Sequence, residues 1–463
     1  MRSLFCVLPL ALCAGAAEPD WSKVNAETLK HFQALVRMDT SDPPGDERPA
    51  VEYLKKVLDA ERIPYKVFAK VPNRPSLVAR LKGSGAKRPI LIMGHTDTVN
   101  VDPAKWKNHG PFSADLAGGH IYGRGTIDDK DNVVAALMTV ILLKRMNVPL
   151  DRDVIFLAEA AEEGNSELGA GFMADEHWDE INAEYCLAEG FGAMRRGGKL
   201  LSVGVMTAEK IPARAQLVVR GTAGHGSVPL ADNAIARLSR AIERAAAWRT
   251  LMRMNDTTRT YFERLATVSA PEAAARYNGL LNPERSAAIQ EYLRLNEPTH
   301  YSMLRTSISP TIFNSGYRIN VIPSQAEATL DIRALPDENL DAFFAELKKQ
   351  IGDDKVEIRR LPLGRPLSPP SRIDTEMFKT LEAVGRKHYD GVITLPGMIT
   401  GATDMAYLRA KGIECYGIGP LVDAEDIEIG YSAHSDLERI IEAELYRFVR
   451  YHYDAVAEVA KKR

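Results

Sequence analysis

Cysteine is scarce in this chain of 463 residues: there are four, and two of them, Cys6 and Cys13, lie at the extreme N-terminus. Removal of that segment would leave Cys186 and Cys415, each in a short apolar stretch where a buried free thiol is the expected state. A cysteine-built zinc site is therefore excluded. Net charge is nearly absent as well, since 59 Lys and Arg against 62 Asp and Glu leave -3. Nothing in that balance calls for a polyanionic partner, so no nucleic acid is expected and recognition must be local. The N-terminal apolar run from Leu4 to Leu12 is too short to span a membrane, and the chain has neither an internal repeat nor a low-complexity tract. What is present is an ordinary globular composition, 45% hydrophobic and 26% charged, with material for two or three lobes.

Met1 to Ala17 carry Arg2, the apolar run, and then small residues before Glu18 and Pro19. This is the grammar of a secretory signal. Cleavage after Ala16 or Ala17 predicts an exported protein, periplasmic or secreted, with no stable membrane span after processing. An uncleaved N-terminal anchor is the alternative. A lipoprotein linkage at Cys13 is disfavoured by the bulk of Leu12 immediately before it.

From 18 to 208 helical and strand-like segments alternate, which is α/β grammar. Pro89 to Met93 and Val154 to Ala158 read as strands, and Asp128 to Val148 as a helix with an apolar stripe. A second unit is inserted at 209–363. Its strands are expected at Arg214–Arg220, Ala328–Ala334 and Val356–Leu361, and its helices at Asn233–Trp248 and Leu340–Ile351. That order suits a small α+β sheet with helices on one face. The polar, helix-like stretch at about 249–300 reads as an elaboration within this unit, and the α/β pattern resumes over 364–463.

Five segments carry residue types suited to chemistry. In ILIMGHTDTV an apolar strand ends at glycine and presents His95 and Asp97, which share a face if the strand continues. His95 can then bind a metal while Asp97 accepts the other ring N–H; a buried histidine paired to a carboxylate would look the same. GRGTIDDKD delivers Asp128 and Asp129 to the start of a helix, where acidic groups are favoured whatever their role. Its glycines are too closely placed for a phosphate cradle, and no GK[ST] follows. FLAEAAEEG ends in Glu162 and Glu163, a further strand ends at Glu189, and GYSAHSD places His434 before the last helix. All five repeat one pattern, a strand or turn, a glycine and a ligand-type residue, and open α/β sheets build their sites at such strand ends.

Taken in order, HTD, GRGTIDDK, EEG, the Glu189 strand end and GYSAHSD resemble the co-catalytic zinc metallopeptidase family of bacterial glutamate carboxypeptidase, aminoacylase, acetylornithine deacetylase and succinyl-diaminopimelate desuccinylase. The match spans nearly the whole chain after the signal, and WKNHGPF and IYGRG join it. The resemblance implies a zinc-peptidase catalytic domain with a central mixed sheet flanked by helices, plus an inserted ferredoxin-like lid and dimerisation domain. It implies two zinc ions, with cobalt or manganese also suited to such ligands. Asp128 would bridge them, His95 and Glu189 completing one site and Glu163 and His434 the other. Glu162 falls on the general-base position, and the Asp128–Asp129 peptide is expected to be cis. Asp128, Glu163 and Glu189 converging without cations would repel one another, which supports the same conclusion.

In the inserted unit, GTAGHGSVP places His225 where the family pattern reaches the partner subunit's active site, implying a homodimer. Substrate-positioning positions by resemblance are Asn320 in INVIP, Arg333 in LDIR, Arg365 in LGRP, and Gly401, Ala402 and Thr403 of TGATD. Arg365 is a candidate for capturing a substrate carboxylate; Arg333 equally fits an ordinary strand arginine paired with Asp331. Glutamate at position 189 resembles the carboxypeptidase and N-acyl amino acid hydrolase branch. The expected activity is hydrolysis of an amide bond next to a residue with a free carboxylate, in small peptides. An N-acyl amino acid deacylase or a dipeptidase is the alternative. A catalytically inert binding module is the remote one, since degenerate relatives should have lost ligands that this chain keeps.

Overall fold

The computed structural model describes residues 18–462. The expected signal segment 1–17, with Cys6 and Cys13, lies outside the described residues. A ten-stranded mixed sheet forms the larger unit. At its centre the strands Val154–Glu159, Ile90–His95, Tyr185–Phe191 and Glu414–Ile418 run parallel, with His95 opposite Glu159 and Cys415 opposite Cys186. Their carboxyl ends therefore share one edge, and the loops leaving that edge carry the candidate ligands. Pro75–Leu81 and Tyr65–Ala69 extend the sheet antiparallel on one side. Cys186 and Cys415 are free and buried, as composition predicts.

The central strands are apolar on both faces because helices cover both. On one face lies the helix Lys130–Arg145, buried from Lys130 through Leu143, with Trp21–Val36 and Glu442–Ala460 packed outside it. The sequence suggests a one-sided stripe there; burial all round follows from its being sandwiched between the sheet and other helices. On the other face Phe172, Met173, Met405 and Leu408, from Ala170–Glu176 and Met405–Ala410, pack with Leu91, Met93 and Leu157.

The inserted α+β unit has its own core, in which Leu217, Leu238, Leu330, Ile332, Phe343 and Leu347 join a sheet to the helices Ala234–Ala247 and Leu340–Ile351. Its antiparallel strands lie in the order Val356–Arg360, Ala215–Arg220, Gln325–Ala334, Ser307–Ser315, a ferredoxin-like arrangement. Periodicity does not reveal Ser307–Ser315. It is an edge strand with most side chains exposed, and its register slips beside Pro310, so it lacks the alternation of a half-buried strand.

The stretch at 249–300 is helical, as its sequence reads. It folds as helices Asp256–Val268, Pro271–Asn278 and Ser286–Asn296, with Pro298–Met303 following, around a small core of Phe262, Tyr277, Leu280, Ile289, Leu293 and Leu304. The stretch bonds the inserted unit, with Arg253 donating to Glu338 at 3.0 Å, and Asp256–Val268 also docks on the large sheet. Arg264 Nη1 donates to the carbonyl of Thr394 at 2.7 Å and to Glu382 at 2.5 Å, and the hydroxyls of Thr257 and Thr207 meet at 2.8 Å. The apolar residues look scattered along the sequence because each helix contributes only one or two buried residues to a shared core.

Candidate metal centre

The strand Ile90–His95 brings His95 to the sheet edge through Gly94. A Cβ there would come within 2.7 Å of the Val133 nitrogen and 2.9 Å of Asp129 Oδ2, so only glycine lets the helix start lie this close to the strand. Asp129 accepts the His95 main-chain N–H at 3.1 Å and bonds Asn132 Nδ2 at 2.7 Å. It therefore holds the helix start to the strand, while Asp128 faces the cleft; the peptide between them is cis, as the resemblance implies.

Asp128 is shared between two imidazoles. Its Oδ1 lies 2.9 Å from His95 Nε2 and its Oδ2 lies 3.0 Å from His434 Nε2. The same His434 nitrogen is 3.0 Å from Glu163 Oε1. His434 and Ala161, the residue preceding the glutamate pair, adopt φ of 63° and 68°. Such left-handed conformations away from glycine are uncommon and cluster at functional sites. Ligand-type atoms of His95, Asp128 and Glu163 lie within 4.8 Å of one another, and so do those of His95, Glu162 and Glu189.

These separations suit metal ligands. A tetrahedral shell with bonds of about 2.0 Å places its ligand atoms roughly 3.3 Å apart, close to the nitrogen–oxygen distances here. The electrostatics agree. Burial raises the Glu189 carboxyl well above its usual range, and the Glu162 carboxyl is pushed up to about 8. Hydrogen bonds donated to Asp128 and Glu163 push His434 up to about 10. Burial opposes a charge on His95, yet Asp128 and Asp97 hold its pKa above the usual histidine value. Protons thus offset the carboxylates of this cluster, and divalent cations fit the same donor set as replacements.

Asp97 meets the His95 ring through its main chain as well as its carboxylate. His95 Nδ1 lies 3.1 Å from the main-chain oxygen of Asp97, whereas the carboxylate Oδ1 is 3.5 Å away. The strand stops at His95, so the rule that residues two apart share a face no longer applies. The Asp97 carboxylate also accepts the main-chain N–H of Glu162 at 3.2 Å and of Glu163 at 3.0 Å. Arg74 Nη2 stands 3.5 Å from it, while Arg74 Nε donates to both Glu47 oxygens at 2.8 and 2.7 Å and Nη1 to Asp42 at 2.7 Å. A second support was equally unread. Arg124 Nη1 donates to Glu438 at 2.6 Å and Nη2 to the His434 carbonyl at 3.2 Å, tying the GRGTIDD turn to the His434 loop. Arg124 lies inside GRGTIDDK, but nothing local marks Glu438 as its partner or Glu47 as that of Arg74.

Arg365 reaches the cluster, but not as an open carboxylate receptor. Its Nη2 is in close contact with Glu162 Oε1 and lies 3.3 Å from the Glu162 carbonyl, and its Nε donates to Asp404 at 3.2 Å. Thr403 is fixed by Glu209 Oε2, which accepts its N–H at 2.9 Å and its hydroxyl at 2.7 Å; Gly401 and Ala402 are half-buried beside it. The remaining positions bond within the inserted unit. Arg333 donates to Asp331 at 2.9 Å, the strand-arginine alternative. Asn320 accepts the Gly226 N–H at 2.9 Å, and the exposed His225 ring bonds Ser227 Oγ at 2.7 Å.

Comparison with known proteins places this architecture. The chain is 27% identical over 417 residues to an N-fatty-acyl-amino acid synthase/hydrolase, PM20D1, of Xenopus tropicalis, covering 88% of this chain and 79% of that one. It is similar in structure to a metallo-carboxypeptidase of Sulfolobus solfataricus, with TM-score 0.72, 19% identity, and coverage of 93% and 98% of the two chains. A dinuclear metal-binding peptidase of Bacillus subtilis gives TM-score 0.60 and 16% identity over 95% and 99%. The model of peptidase family M20/M25/M40 matches residues 91–458, and the chain belongs to that family.

Proposed function

We propose that this protein is an exported dizinc exopeptidase that releases a residue with a free carboxylate from small peptides. The observation carrying this reading is the division of Asp128 between His95 and His434, one carboxylate oxygen to each, with Glu162 beside them. His95 and Glu189 would hold one ion and Glu163 and His434 the other, with Asp128 common to both. Bound there, the ions supply Lewis acidity toward the scissile carbonyl and toward water.

The chain's own groups supply the rest. Desolvation pushes the Glu162 carboxyl up to about 8, a basicity that suits a group that takes a proton from the attacking water and returns it to the leaving nitrogen. Asp97 fixes the main chain under Glu162 and Glu163, so both carboxylates project from a held loop. The His225 ring is exposed on the inserted unit and bonds only Ser227 among the described residues, which supports a role toward a second subunit in a homodimer. The signal-like residues 1–17 support export.

Hydrolysis of N-acyl amino acids is the second reading, favoured by the 27% identity to the fatty-acyl amino acid hydrolase. Purified protein loaded with zinc, cobalt or manganese, assayed for amino acid release from dipeptides, tripeptides and N-acyl amino acids with free or amidated C-termini, decides between the two. The first reading expects release from peptides with free C-termini and none from amidated ones. No release from any substrate with any metal rejects both.

A further inference from the structure

The chain returns from the inserted unit through the segment between the strand Val356–Arg360 and Ser371, whose N–H bonds the Thr207 carbonyl on the large sheet. Arg365 projects from this connection into the cluster. One of its nitrogens, Nη2, engages Glu162 twice, at the side-chain Oε1 and at the main-chain carbonyl. A carboxylate held by a donor that also grips its own backbone has little rotational freedom, and fixing one oxygen fixes where the other points. Asp404, itself buried, accepts from Nε, the neighbouring donor on the same edge of the guanidinium. Burial works against the charge on Arg365, but Asp404, Glu162, Glu209 and Glu189 around it keep its pKa above the ordinary value.

The connection is also anchored. Tyr407, from the helix that Asp404 precedes, donates its hydroxyl to the Gly364 carbonyl at 3.1 Å. Phe172, Leu363, Pro366 and Tyr407 line a cavity of about 460 Å³ that Arg365 borders. Asp404 and Tyr407 together thus fix the Arg365 backbone and its head group.

We propose that Arg365 is a positioning residue for Glu162, aimed by Asp404, and that it ties the aim of the general base to the connection between the two units. The inference rests on reading Glu162 as the base. It differs from capture of a substrate carboxylate, because the guanidinium is engaged by two carboxylates of its own chain.

The test is steady-state kinetics of the metal-loaded full-length protein and of Arg365→Met, Arg365→Lys, Asp404→Asn and the Arg365→Met/Asp404→Asn pair, with bound metal and Tm measured for each. A misplaced base is expected to lower kcat by about 100-fold in Arg365→Met, with KM within about twofold. Lysine, which keeps one donor, should restore part of the loss. Asp404→Asn should lower kcat by less, and the double variant should be no worse than Arg365→Met, since the two act through one chain of contacts. Should Arg365→Met fail to fold, the lysine variant and Asp404→Asn carry the same comparison. A raised KM with intact kcat, additive losses, or unchanged kinetics overturns the proposal. Glu162→Ala separates the two layers: if it is inactive while Arg365→Met is normal, this proposal alone falls, and if it is fully active the base assignment falls with it.

Discussion

The Asp97 carboxylate accepts the main-chain N–H of Glu163 at 3.0 Å and, through its other oxygen, that of Glu162 at 3.2 Å. One buried side chain therefore positions both an expected ligand and the expected base. Asp97→Ala removes both acceptors and leaves Arg74 facing one carboxylate fewer. It should weaken metal binding by roughly 10- to 100-fold, the usual cost of losing an outer-shell partner, and lower kcat as well. Chelator competition measures the first effect. Metal affinity equal to the parent's would show that the loop holds its shape without Asp97.

Glu162→Gln keeps the shape of the side chain and removes its capacity to accept a proton. Turnover should drop by at least about 100-fold, the contribution of a general base. Metal content should be unchanged if Glu162 is not a ligand, which matters because Glu162 lies as near His95 and Glu189 as a ligand would. Loss of one ion from Glu162→Gln would reassign it from base to ligand.

The ligand-type residues were legible in the sequence because each ends a strand or opens a helix within a few residues of a glycine, and such junctions are local. The ferredoxin-like unit was legible through Arg214–Arg220 and Leu340–Ile351, whose periodicity matches their burial. What the sequence does not reveal depends on contacts far apart in the chain. Glu438 meets Arg124, Glu47 meets Arg74, and Asp97 turns toward Glu163, and no periodicity reports such pairs. The partners of Arg365, Glu162 and Asp404, lie far from it in the chain and emerge only in the fold.

Metal binding should release protons. Without ions the pKa values of His95 and His434 lie above the usual histidine value, and both imidazoles must lose a proton to act as ligands. Calorimetric titration of the metal-free protein with zinc at pH 7, repeated in buffers of different ionisation enthalpy, counts those protons. The same metal should raise Tm, by the equivalent of roughly 4 kcal/mol when free zinc is a thousandfold above Kd. Binding with no proton release would mean that the imidazoles are not ligands.

Acid stability is set partly away from the site. His452, in the helix Glu442–Ala460, is buried against the helix Lys130–Arg145, with Nδ1 2.7 Å from the Thr139 hydroxyl. Burial pulls its pKa from 6.5 down to about 3, so the folded chain keeps it neutral where the unfolded chain protonates it. Between those values the unfolded state binds more protons. The stability contributed is present above about pH 6.5 and is lost as pH falls toward 3. Urea midpoints of the parent should therefore drop between pH 7 and pH 4 more steeply than those of His452→Gln, whose amide can still bond Thr139 but does not titrate. Parallel pH profiles for the two proteins would show that His452 takes no part in acid unfolding.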